Sequence, residues 1–177
     1  FFFFFVLLFQ QWALRFRRNQ HDKRRLENLL MMQMDRLWPG AFVNVKRFKR
    51  QHPDLEPPVP LVETCPLERK LVQVILTHCP NPYDVLAFTV EDMIEFLRDH
   101  LGRRSEKTAR KVLRNVRQAL LPPPPTARIL AQGLQVEWQA LQHCLALETQ
   151  LEAEAEILVP WSPAAVLVSV PGMSPYH

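Results

Sequence analysis

At 177 residues, 47% of them apolar and 23% charged, the chain can bury one modest core or two small helical units, which excludes a large multidomain enzyme. Four glycines against 16 prolines leave too little turn-forming glycine for a hairpin-rich sheet protein and favour an all-α fold. The net charge of +4 is mild but unevenly spread: residues 15–50 and 98–117 are crowded with Arg and Lys, whereas the only charged residues after Arg128 are glutamates. Basic segments of that kind suit an anionic partner, nucleic acid above all.

Residues 1–10, FFFFFVLLFQ, form a low-complexity apolar end. The run is shorter than the roughly 20 residues needed to cross a bilayer, and it lacks the basic start and small-residue cleavage site of a signal peptide. With no initiator Met, this end reads as truncated. Residues 11–50 then make a basic helix and a basic cluster. The helix is expected over 10–38, with Trp12, Phe16, Leu26, Leu29, Leu30 and Leu37 as apolar positions and Met31, Met32 and Met34 as core packing. Trp38-Pro39-Gly40 should end it. Its first half gathers Arg15, Arg17, Arg18, Lys23, Arg24 and Arg25; the sequence VKRFKR adds Lys46, Arg47, Lys49 and Arg50. Residues 51–65 are rich in proline and read as a linker.

Residues 66–121 read as a small helical unit. Leu67, Leu71, Val74, Ile75 and Leu76 fall at helical spacing until the stop at CPNPYD. The next helix is well marked: Thr89 with Asp92 forms a capping-box pattern, Val90, Met93, Ile94, Leu97 and Leu101 make one stripe, and Gly102 stands where a C-terminal glycine belongs. A helix predicted from Ser105 to Leu121 is divided in two. Ala109, Val112, Leu113, Val116, Ala119 and Leu120 share one face, and Lys107, Arg110, Lys111, Arg114 and Arg117 the other. Such a cationic stripe suits a row of phosphates, each of which releases counterions when neutralised.

Residues 122–126 read as a polyproline spacer separating two units. Residues 127–159 form a long coiled-coil-like helix. Leu134, Trp138, Leu141 and Leu145 make a seam that then shifts to Leu147, Leu151 and Leu158, in the manner of a helical hairpin or a short coiled coil. A single helix cannot bury its own strip, so the cover is either another helix of the same chain or a second copy. The seam is read as a dimerisation surface and the chain as a homodimer.

Cys65, Cys79 and Cys144 are odd in number and share no CxxC spacing, so neither a disulfide framework nor a zinc site is signalled. The pairs His78-Cys79 and His143-Cys144 point about 100° apart on a helix, which does not converge on a metal. A reducing, cytoplasmic compartment follows, with no membrane partner.

Taken in order, the basic helix ending in LWPG, the segment CPNPYDVLAFTVEDMIEFL, the helix KTARKVLRNVRQAL, the long Leu/Glu helix and LVSVPGMSP resemble the middle of insertion-sequence-110 family transposases. The resemblance implies an elongated helical linker region between two domains that this chain lacks. One is a RuvC-like domain whose acidic DEDD site binds Mg; the other is a C-terminal transposase domain carrying a catalytic serine. Residues 160–177 would be the truncated start of the latter, with Pro171-Gly172-Met173 as its opening turn and Ser174 in place of the family's second glycine. The implied role is DNA transposition, in which this region holds DNA and a structured guide RNA and brings subunits together. No catalytic residue, metal ligand or cofactor carries over. None of residues 1–21 is acidic, and Ser162, Ser169 and Ser174 match no nucleophile motif, so the chain itself is expected to be inactive. The alternatives are an independent helical nucleic-acid-binding module and a helical interaction protein with a solvated basic face.

Overall fold

The computed structural model describes residues 2–57, 59–102, 105–158 and 160. These residues form α1 (Phe2–Leu37), α2 (Val45–Gln51), a 3-10 turn (Pro66–Glu68), α3 (Lys70–His78), α4 (Pro82–Leu86), α5 (Val90–Leu101), α6 (Glu106–Gln118) and α7 (Pro124–Leu158), with no strand among them. None of these helices is long and apolar enough to cross a membrane. The chain divides into two compact units, one built from Phe1–Leu26 with Gln139–His177 and the other from Glu27–Trp138.

In the first unit the start of α1 pairs with the end of α7. Trp12, Phe16, Asn19 and Lys23 recur at steps of four, three and four, so they share one helix face. Trp12 stacks on Phe16 at 5.4 Å between ring centroids and packs with Leu147, Leu151, Ala155 and Leu158. Its indole N–H donates to Leu151 O at 2.8 Å, and the buried Asn19 donates to Cys144 O at 2.9 Å. Higher numbers on α1 thus meet lower numbers on α7, and the two segments run antiparallel. The shifted seam of Leu147, Leu151 and Leu158 is half of this interface.

The second unit is assembled around α3, α4, α5 and α6. Ile75, Cys79, Val85, Met93, Leu97, Ala109, Val112, Leu113 and Val116 form its core together with Trp38, Ala41 and Leu61. The helix ends follow from local chemistry. Thr89 and Asp92 exchange the two hydrogen bonds of a capping box, and Gly102 closes α5 at φ +68°, donating to Arg98 O. Asn81 caps α4 ahead of Pro82, and Ser105 caps α6. Tyr83 donates its hydroxyl to Pro122 O at 2.9 Å, and Trp138 donates its indole N–H to Thr77 Oγ1 at 2.9 Å, tying the start of α7 to α3 and its neighbours.

Three expectations are corrected. Helix α6 stops at Gln118 with Ala119 extended, so Leu120 leaves the core face and is 88% exposed. Leu121 precedes Pro122, and a residue before proline is pushed out of the helical region, which unwinds this end. The polyproline run is not a spacer between units: Pro124 and Pro125 begin α7, where the missing N–H groups cost nothing, and the units divide elsewhere. Among the methionines Met34 is buried, but Met32 is 44% exposed. Residues 161–177, with Ser162, Ser169, Ser174 and the Pro171-Gly172-Met173 turn, lie outside the described residues.

Candidate nucleic-acid interface

Helix α6 places its residues most clearly. Ser105 Oγ accepts from the Thr108 N–H and starts the helix in a fixed register. Ala109, Val112, Leu113, Asn115 and Val116 are then buried. The other side must face outward: Lys107, Arg110, Arg114 and Arg117 are exposed and Lys111 is half-buried at the edge. Positions 107, 110, 114 and 117 lie within about 80° of one another around the helix and span about 15 Å along it. Arg110 is held by Glu106 at 2.6 Å; among the described residues no carboxylate pairs with Lys107, Lys111, Arg114 or Arg117. A row of cations with so little internal neutralisation is an electrostatic track.

The buried Asn115 anchors this helix from behind by donating to Val59 O, and the Leu61 N–H donates to Ala41 O at 2.8 Å. These two bonds hold the extended segment around Leu61 and Val62 beside α6. Between that segment, the start of α3 and the end of α5 lies an open hollow of about 570 Å³. Among the described residues it is lined by the cations Arg69, Lys70 and Lys111, by the single carboxylate Glu68, by Thr108 and by the apolar Leu61, Val62, Leu71 and Leu101. The Arg69 guanidinium is oriented by Thr64, through the backbone carbonyl at 3.3 Å and the hydroxyl at 3.1 Å. Arg69 and Lys70 escaped the sequence reading; their signal was the RK pair directly after the turn PLE.

Helix α2 also exposes its cations. Asn44 accepts from the Arg47 N–H, no residue of α2 is buried, and Lys46, Arg47, Lys49 and Arg50 all face solvent. This cluster and α6 belong to the same unit.

The basic patch of α1 splits in two. Arg15 pairs with Glu154 at 3.0 Å and Lys23 with Glu148 at 2.7 Å. Gln20 also donates to Glu148. Burial alone would raise the Glu148 pKa, but the hydrogen bonds from Lys23 and Gln20 and the Lys23 charge outweigh it and hold the carboxyl below its ordinary value. Part of the charge asymmetry between the two ends of the sequence is therefore answered inside the chain. Arg17, Arg18, Arg24 and Arg25 are exposed on the far side of α1, with no carboxylate paired to them among the described residues. No protein-family model, curated protein or solved structure matches this chain.

The seam read for dimerisation finds cover within one chain at three positions of four. Leu134, Trp138 and Leu141 are 2–3% exposed, and Leu145 is 38% exposed. The cysteines are poor nucleophiles where their state is defined: burial, with Asp84 nearby, pushes the Cys79 thiol up to about 12, and burial with Asp22 and Glu148 raises Cys144. His78 stacks on His100 at 3.8 Å between ring centroids. Among the described residues no group of three or more His, Cys, Asp or Glu could hold a metal ion.

Proposed function

We propose that this chain is a helical nucleic-acid-binding module that grips the phosphate backbone through the outer face of α6, assisted by the exposed cations of α2. The carrying observation is the division of α6: one side is buried, while the other presents a row of cations of which, among the described residues, only Arg110 is paired with a carboxylate. A row of this length suits three or four consecutive phosphates, whose neutralisation supplies affinity without reading sequence. On the resemblance, the module would serve a DNA-transposing protein whose metal site and catalytic serine lie on other segments; the order of the motifs is what supports that origin. In the other unit, the exposed Arg17, Arg18, Arg24 and Arg25 of α1 would offer phosphates a separate set of cations.

The test is a salt titration of oligonucleotide binding. Replacing Lys107, Arg110, Arg114 and Arg117 together by Gln should reduce the slope of log affinity against log salt by about 2–3 for a single strand. Helix content should stay the same, because all four side chains are exposed. An unchanged slope would return this face to solvent.

A further inference from the structure

We propose that the hollow beside α6 receives an unpaired nucleotide, so that the strand gripped by this chain is single. This deepens the reading above and rests on it. The hollow and the cationic row share Lys111, which is half-buried on the flank of α6 and stands at the hollow's edge. A strand lying along Lys107 and Arg110 therefore passes directly beside the opening. Among the described residues three cations, Arg69, Lys70 and Lys111, line it with one carboxylate, Glu68, which leaves a net positive lining for a phosphate. Thr64 already orients the Arg69 guanidinium, so less freedom is lost when it binds.

The apolar lining supplies the second half of the chemistry. Val62, Leu71 and Leu101 are half-buried and aliphatic, and they line the same hollow as the cations. A phosphate or free anion would gain nothing from that surface, whereas a nucleobase carries a flat apolar face that needs cover once it leaves its neighbours. The volume of about 570 Å³ has room for one nucleotide and is too small for a duplex. Duplex bases are already stacked and paired and cannot reach that lining without unpairing, so the hollow discriminates in favour of single strands.

The experiment uses the whole chain and three probes: a deoxythymidine 12-mer with one central 2-aminopurine, its ribose counterpart, and a blunt duplex of equal length. The wild type should bind a single strand more tightly than the duplex, and 2-aminopurine emission should rise as the base leaves its stacked neighbours. Val62→Trp takes up space in the hollow without removing a cation; it should weaken single-strand binding about tenfold, abolish the rise and leave duplex binding unchanged. Val62→Phe provides the same block if tryptophan disturbs the helix content. Tighter binding to the deoxy or to the ribose strand names the natural one, and either supports the hollow. Single-strand affinity and emission unaffected by both variants would overturn the proposal, even with the phosphate grip intact. Loss of the grip itself shows separately, as a salt slope that the four Gln replacements on α6 do not change.

Discussion

Replacing Glu137 by glutamine should make the unit Glu27–Trp138 more stable at neutral pH. Gln33 donates to Glu137 Oε1 at 2.7 Å, but Gln33 Oε1 and Glu137 Oε2 are both buried and have no hydrogen-bond partner. Two acceptors and no second donor make an unfavourable pair. Burial raises the Glu137 pKa, and the Gln33 hydrogen bond offsets only part of the rise. A glutamine keeps the shape, removes the charge and offers an N–H to Gln33 Oε1. A buried unsatisfied acceptor costs about 1–3 kcal/mol. Because Glu137 is only half-buried, the lower end applies to each, and the expected gain is about 1–2 kcal/mol. The sign with pH follows from the raised pKa. Below the ordinary value of 4.5 both folded and unfolded wild-type chains carry the proton, and the penalty is absent. As pH rises through the folded-state pKa the penalty develops in full. Thermal melts of wild type and Glu137→Gln should therefore nearly coincide near pH 4 and separate toward pH 7, by about 2–4 °C for each kcal/mol. A variant no more stable than wild type at pH 7, or an advantage equal at both pH values, would refute the reasoning.

Glu148 gives the opposite sign: its lowered pKa means that its pairing with Lys23 stabilises the first unit above the ordinary carboxyl value of 4.5 and is lost as pH falls below it. Hydrogen exchange over residues 144–158 should quicken in acid, and Glu148→Gln should remove most of that acid dependence; a wild-type profile flat with pH would argue against it. Gly102→Ala should cost about 1 kcal/mol in urea unfolding, since φ is +68° and an added Cβ meets nothing within 4 Å, leaving backbone strain as the only cause; a cost-free alanine would contradict the left-handed cap. Leu113→Ala should cost about 2–5 kcal/mol and Leu120→Ser less than about 0.5 kcal/mol, because Leu113 is 1% and Leu120 88% exposed; similar costs for the two would restore Leu120 to the core.

Much of the fold is legible where the determinants are local. Helix α5 carries its own start in Thr89 and Asp92, its own stop in Gly102 and its stripe between them, so sequence and structure coincide to the residue. The buried and cationic faces of α6 follow from the 3.6-residue period, and only the end was misplaced, where Pro122 acts on its predecessor. The pairing of α1 with α7 was far less visible. Trp12 and Leu151 are 139 positions apart, and no local signal links them. A clue existed in complementary charge, Arg15 and Lys23 against Glu154 and Glu148, but it reads equally well as two surfaces awaiting different partners. The hollow was invisible for a similar reason, since its lining comes from residues 61–62, 68–71, 101, 108 and 111.

The antiparallel pairing of Trp12 with Leu151 has a temporal side. During synthesis at about 5–20 residues per second, Trp12 on α1 is made about 7–28 s before Leu151, its partner 139 residues later on α7. For that interval Trp12 and Phe16 have no cover from the segment that buries them. The unit Glu27–Trp138, continuous in sequence, can meanwhile complete its own core. The closing step must join segments separated by the whole of that unit, a high-contact-order event that comes late. The apolar face of α1 is therefore the surface most exposed to chaperones and to self-association while the chain is being made.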